Sequence, residues 1–210
     1  MSEGRKERAD ALRNRRAILD ATEKLLATHR ARDVSMEQVA AEAGVGKGTI
    51  FHRFGSRAGL MTALMHERAR ALSEAMTQGP PPLGPGAPDR ERLLAFLDAV
   101  IEMVARNKSL LAELAHTPSA EPASGRSGGQ PDGQPDGQPA RDEGKPVYSF
   151  WHGHLSGLLA AQRPDVDADL TAHLILGALH SEPVLARLAG DSGQVAAALR
   201  TMVQALLDAS

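Results

Sequence analysis

Lys47, Thr49, His52, Arg53 and Arg57 stand close together in the chain, interleaved with Gly46 and Gly48, and no acidic residue lies between Ala43 and His66. An acid-free run of ammonium, hydroxyl, imidazole and guanidinium donors suits an anionic partner, and the glycines let that partner's backbone come close. One such partner is a nucleotide. The run from Gly44 to Thr49 superficially resembles a phosphate loop, but that motif needs four residues between its glycines and a Gly-Lys followed directly by Ser or Thr. Lys47 is followed by Gly48, so the nucleotide cradle is excluded. A nucleic-acid backbone fits the same donors.

Enzymatic chemistry finds little support. The chain has no cysteine, which removes thiolate nucleophiles, thiolate metal sites and disulfides and fits a reducing, cytoplasmic setting. His152 and His154 are two apart and point to different sides of a helix. His173 and His180 share a face without a carboxylate at ligand spacing, so no metal and no cofactor are expected.

The donors must be held by the segment SMEQVAAEAGVGKGTIFHRFGSR, residues 35–57. Ser35 followed by Gln38 is a capping box and predicts a short helix over 36–43. Gly44 supplies the positive φ that ends it, and Val45 plugs the turn. A second short helix is expected over 47–54, with Ile50 and Phe54 four apart on its inward face and Gly46, Lys47, Gly48 and Thr49 in its exposed first turn. Two short helices joined by such a turn are helix-turn-helix logic: a helix enters the major groove end-on when its first turn is small, polar or basic. An amphipathic helix over 11–29, rich in arginine, should precede the pair. A longer one, carrying Leu60, Met61, Leu64, Met65, Arg68 and Leu72, should follow it to about residue 76.

These residues carry a resemblance. The segment is similar to the N-terminal DNA-binding domain of TetR-type (TetR/AcrR) transcriptional regulators, whose helix-turn-helix typically ends in Thr-Leu-Tyr-x-x-Phe. Here Thr49-Ile50-Phe51-His52-Arg53-Phe54 stands in that place. The resemblance covers about residues 15–75, including Ala40, Ala43, Gly44, Val45 and the Gly-Ser-Arg that opens the fourth helix. It implies that Ser35, Lys47, Thr49, His52 and Arg57 touch operator backbone or bases, with Arg57 where the family usually has lysine. Phe51 replaces the usual tyrosine and so lacks its hydroxyl contact to phosphate. The resemblance further implies a repressor released from a palindromic operator by a small-molecule inducer, and a homodimer formed through the two C-terminal helices, at 170–188 and 195–207.

Composition and charge agree with this division of labour. Aromatic residues are only 3% and β-branched residues sparse, so propensity favours an all-α fold. Residues 1–76 carry 14 Lys and Arg against 10 Asp and Glu, whereas the remainder carries 10 against 16. A basic head that meets a polyanion, joined to an acidic body, is the natural reading. The five prolines within 79–88 predict a loop between a DNA-binding domain at 1–76 and a helical ligand-binding and dimerisation domain at 89–210. In that second domain, helical spacing runs over 89–105, with a shorter helix to about 116. Residues 117–145, with Gln-Pro-Asp-Gly twice, read as a disordered insert. Helices are then expected from about 147 to 162, from 165 to 180, restarting or kinking at Pro183, and from 192 onward.

Phe96, Val100, Met103, Phe150, Trp151, His154 and Leu158 are candidates for a ligand pocket, although aromatic and methionine residues at helical spacing are more often plain core. No apolar stretch is long enough to span a membrane, and the charged N-terminus is unlike a signal peptide. Two other functions compete. An inducer-independent DNA-binding protein would lack a ligand-sized cavity in the second domain, and a small helical enzyme would need a nucleophile, base or metal cluster that the sequence does not display.

Overall fold

The computed structural model describes residues 3–115, 144–188 and 190–209. Among them the secondary structure is helical, in the order α1 (Glu3–Thr28), a 3-10 turn (Ala31–Asp33), α2 (Met36–Ala43), α3 (Lys47–Phe54), α4 (Arg57–Gln78), α5 (Asp89–Ala115), α6 (Gly144–Gln162), α7 (Ala168–Ala178), α8 (Glu182–Leu188) and α9 (Ser192–Asp208). The expected insert at 117–145 lies outside the described residues apart from Gly144 and Lys145, which open α6. No described helix is long and apolar enough to cross a membrane.

Most boundaries follow local chemistry. Ser35 accepts from the Gln38 N–H at 3.2 Å while the Gln38 side chain accepts from the Ser35 N–H at 2.8 Å, so the capping box is complete. Gly44 takes φ 65°, and the N–H groups of Gly44 and Val45 close back onto the carbonyls of Ala41 and Ala40, the two bonds of a Schellman stop. Pro183 restarts the chain as α8 after the break at 179–181.

Two elements run longer than expected. α1 begins at Glu3, and α5 runs as one continuous helix through Arg106-Asn107-Lys108, without the division expected after residue 105. Part of that run is consumed by packing: Arg68 reaches Asn107 Oδ1 at 2.9 Å and Glu23 at 2.9 Å, and Arg106 lies 3.9 Å from Glu23. The polar residues therefore join α5 to α4 and α1 instead of breaking it.

Two apolar cores result. The first gathers Ile18, Leu19, Met36, Val39, Ile50, Phe54, Leu60, Met61 and Leu64 from the four N-terminal helices and Val34 from the connection before α2, and takes Leu110 from the far end of α5. The second gathers Leu93, Phe96, Leu97 and Ile101 of α5 with Leu155 and Leu159 of α6, Ile175 of α7, Leu188 of α8 and Val203 of α9. It also takes Leu72 and Met76 from α4. Both α4 and α5 thus serve both cores, which are not divided at the loop over 79–88.

Part of the expected C-terminal seam is used within the chain itself. Leu199 and Val203 of α9 are buried in the chain's own core, with Val195, Leu206 and Leu207 half-buried against it. The large apolar side chains left open are Met202 on α9 and, on α7, Leu170 and Leu174, four apart on one face and 54% and 66% exposed.

Candidate nucleic-acid interface

The α2–α3 unit is braced from within. Ile50 and Phe54 are buried and seat α3 on the first core. Arg53 turns back to donate to the Ala11 carbonyl at 2.8 Å, and Arg15 lies over the Phe54 ring at 5.4 Å, tying α3 to α1. Arg57 is engaged within the chain. Its guanidinium donates to the Val34 carbonyl at 3.1 Å and to the Ala31 carbonyl, holding the connection from α1 to α2 against the start of α4. A forked cation on two carbonyls is a brace, and it explains why arginine suits this position. Ser35 likewise is occupied in its cap.

The outward face is built differently. Gly46, Lys47, Gly48, Thr49, Phe51 and His52 are all exposed, and Phe51 keeps 42% of its surface open. Where α2, α4, α7 and α9 each begin with a serine or aspartate side chain accepting a first-turn N–H, α3 begins at Gly46 with no side-chain cap. The Thr49 N–H closes onto the Gly46 carbonyl at 2.9 Å, which leaves the N–H groups of Lys47 and Gly48 for an outside acceptor, and the helix dipole favours an anionic one.

The two glycines sharpen the point. A Cβ on Gly48 would meet nothing within 4 Å, and one on Gly46 would meet only Thr49 Oγ1 at 3.8 Å, with no positive φ at either. The fold itself needs glycine at Gly44, for its φ of 65°, and at Gly59, where a Cβ would fall 2.1 Å from the Phe54 carbonyl oxygen. It has no such need at Gly46 or Gly48.

Glu37, which sequence spacing does not single out, borders this face from α2. Its carboxylate pairs with Lys47, and that ammonium, followed by the residue's own backbone contact, holds the carboxyl below its usual range. Lys47 also lies 5.7 Å from the centre of the Phe51 ring. An i to i+10 pair across a turn has no helical period to reveal it.

A second feature lies behind the reading head. A cavity of about 990 Å³ opens between α1, α4, α5, α6, α7 and α8. Of the residues expected to line a pocket, Val100, Met103 and Trp151 do so. Phe96 and Leu158 are spent in the core beside it, with the Phe96 ring edge-on to Trp151 at 6.4 Å. Phe150, next to Trp151 in the helix, is turned outward and 41% exposed. His154 packs against Phe96 at 5.4 Å, its Nε2 buried without a partner, and burial followed by the nearby Arg92 charge pushes its pKa below 6.5. The N-terminal wall is not foreseen from sequence: Leu12, Arg13, Arg15 and Arg16 of α1, with Arg70 of α4, face the same space. Leu12, open at 67% on an otherwise polar side of α1, is the available signal. Trp151 also donates to Ser73 Oγ of α4 at 3.0 Å, linking the cavity wall to the helix that carries the head.

Comparison with known proteins agrees with this geometry. Residues 18–64 match the model for bacterial regulatory proteins of the tetR family. An uncharacterised HTH-type transcriptional regulator of Mycobacterium tuberculosis is 33% identical over 113 residues, 52% of this chain and 54% of the relative, so the chain spans about half the length of the curated relatives it matches. Among solved structures, a TetR transcriptional regulator from Streptomyces coelicolor superposes with a TM-score of 0.59 at 22% identity, over 92% of this chain and 97% of that one. A transcriptional regulator from Saccharomonospora viridis in complex with choline gives 0.56 at 18%, over 92% and 95%. The regulator FadR from Bacillus subtilis in complex with stearoyl-CoA gives 0.52 at 19%, over 91% and 96%. These proteins are transcriptional regulators, not enzymes. Residues 18–64 are a helix-turn-helix domain of the tetR family of bacterial regulatory proteins, set within a chain of that family's all-helical fold.

Proposed function

We propose that the chain is a ligand-responsive repressor that grips double-stranded operator DNA through the first turn of α3 and lets go when a small molecule enters the cavity. The observation that carries the DNA reading is the uncapped start of α3, with two glycines that the fold does not require. Lys47, Thr49 and His52 supply side-chain donors, the N–H groups of Lys47 and Gly48 take a phosphate, and Phe51 offers an apolar face to a thymine methyl. Ser35 and Arg57 act from behind by fixing the angle between α2 and α3.

The cavity supports the ligand reading because its walls belong to both cores. An occupant that touches Leu12 and Arg16 on one side and Val104 and Trp151 on the other bears directly on the helices that set the head. Its chemistry points to an amphiphile with an acidic group: of the lining cations, Arg13 is paired with Asp10 and Arg70 with Glu67 and Glu74, which leaves Arg15, Arg16 and Lys108 beside an apolar floor. The neighbours that hold stearoyl-CoA and choline are consistent with a small-molecule site in this fold, and neither ligand transfers by itself.

Dimerisation is assigned to the open apolar face of Leu170 and Leu174 on α7, with Met202 on α9, and two heads related by a twofold axis would read a roughly palindromic site. The test is a fluorescence-anisotropy titration of the full chain with its own upstream DNA and with random duplex, at several salt concentrations. The expected result is sequence-preferring binding that weakens steeply with salt. Lys47→Ala with Thr49→Ala should abolish the preference and flatten the salt dependence by about one charge for each phosphate that the variant no longer neutralises. A dimer by sedimentation that becomes a monomer in Leu170→Glu with Leu174→Glu supports the interface. Failure of the wild-type chain to bind any duplex at low salt refutes the DNA reading.

A further inference from the structure

His152 of α6 and Asp169 and His173 of α7 bring three ligand atoms within 4.8 Å of one another across the α6–α7 pair. Sequence spacing hides the group, because His152 finds its partners seventeen and twenty-one positions downstream across the α6–α7 turn. The i, i+4 relation of Asp169 and His173 is its one legible part, and it corrects the expectation that no carboxylate stands at ligand spacing from His173.

The geometry points to a divalent transition-metal site of the zinc class made by His152, Asp169 and His173. Each imidazole turns its Nε2 toward a different oxygen of the same carboxylate, His152 to Oδ1 at 3.6 Å and His173 to Oδ2 at 3.9 Å. Bonds of about 2.0–2.2 Å in a tetrahedron place neighbouring ligand atoms about 3.3–3.6 Å apart, so a small rotation of the Asp169 side chain, 76% exposed, completes the set. The two rings are stacked with centroids 3.8 Å apart and planes 28° from parallel, which holds the imidazoles side by side. His152 is only 12% exposed and therefore held in place.

The outer contact of His173 is that of a ligating histidine. Tyr148 Oη lies 2.8 Å from His173 Nδ1, so a proton carried on Nδ1 can be donated to the phenol oxygen while Nε2 keeps its lone pair for a metal. His152 Nε2 lies 3.1 Å from the Asp169 carbonyl oxygen; a metal takes the place of the hydrogen that would bridge them, and that proton leaves to solvent. Two imidazoles with one carboxylate suit Zn²⁺, Co²⁺, Ni²⁺ or Cu²⁺. Mg²⁺ and Ca²⁺ want a shell of oxygen ligands that the site does not offer. The open side leaves a fourth position for water.

The site is not isolated from the rest of the molecule. Tyr148 supports His173 and also lines the cavity, and Trp151, the only tryptophan, precedes His152 and lines the cavity too. A bound metal fastens α6 to α7 along two walls of that cavity.

The experiment is a calorimetric titration of the untagged, metal-stripped full chain with Zn²⁺ and separately with Co²⁺, followed in parallel by Trp151 fluorescence and by the Co²⁺ visible spectrum. The expected result is one equivalent per chain, a four-coordinate Co²⁺ spectrum, and no displacement by Mg²⁺ in large excess. His173→Gln and Asp169→Asn should each lower affinity at least tenfold with far-UV circular dichroism unchanged. Tyr148→Phe, which leaves the ligands intact, should cost roughly tenfold or more. His29→Gln, at the end of α1 and remote in sequence from the three ligands, should change nothing. Absence of stoichiometric binding, or binding that survives His173→Gln and Asp169→Asn at full strength, overturns the proposal. Because the readout is the metal itself, the result stands apart from whether the chain binds DNA.

Discussion

Gly48→Ala should make the protein more stable and worse at its task. Gly48 is the second residue of α3, its φ is not positive, and an added methyl meets nothing within 4 Å. Replacing a helical glycine by alanine reduces the freedom of the unfolded chain and stabilises by about 0.5–1 kcal/mol, with the lower figure apt for a first turn. For a chain of this size that raises the melting temperature by roughly 1–4 °C. The same methyl points away from the protein, into the space where a DNA backbone would approach the first turn. Holding the phosphate off by the width of a methyl group should cost at least about tenfold in affinity, or 1.4 kcal/mol. Gly44→Ala is the contrast: at φ 65° it forces the strained left-handed conformation, at about 1–2 kcal/mol, so stability and binding fall together. Thermal melts beside anisotropy titrations of both variants decide the matter. If Gly48→Ala is stabilised and binds operator as tightly as the parent, close approach at α3 is the wrong account of this glycine.

Three further outcomes follow from contacts already described. Arg57→Ala leaves the Ala31 and Val34 carbonyls without their charged donor and should destabilise the chain by about 1.5–3 kcal/mol in urea melts, with Arg57→Lys recovering only part because an ammonium cannot fork between both. Glu37→Gln releases Lys47 from its pairing carboxylate, so DNA affinity should rise a few-fold at low salt and the gain should fade as salt is added; unchanged binding at low salt would place Lys47 outside the interface. His154 is held neutral in the fold by burial and by Arg92, below its ordinary 6.5, so the unfolded chain takes up its proton first as pH falls. Its contribution to stability is complete above about pH 6.5 and declines through the window below it, a slope in the urea midpoint that His154→Leu should remove.

What is legible in the sequence is local. Ser35 with Gln38, Gly44 with Val45, and Ile50 with Phe54 each encode their geometry within a turn or two of helix, and the α2–α3 unit can be drawn from them. The lining of the cavity is only partly legible, because helical period says that Val100, Met103 and Trp151 face inward but not whether they meet a core or a space. Phe96 and Leu158 have the same period and go to the core. Contacts between distant segments leave no trace in spacing: Arg57 on the Val34 carbonyl, Glu37 on Lys47, Arg16 facing the same cavity as Trp151. The break expected near residue 105 fails for a related reason. A polar run along a helix reads as solvent unless one knows that Glu23 and Arg68 lie opposite.

The unbroken α5 has a consequence for how such chains can be recombined. It is a rod of 27 residues, roughly 40 Å long, whose start is embedded in one core and whose Leu110 is embedded in the other. A head cut away at the proline-rich loop would lose Leu110 from its own interior, together with the Asn107 partner of Arg68. The inherited unit is therefore not the stretch that reads DNA but that stretch plus the distal end of a helix encoded some thirty residues later. Exchange of heads between relatives would succeed only where the recipient's α5 ends in a side chain of matching shape, so the junction itself becomes a barrier to swapping one specificity for another.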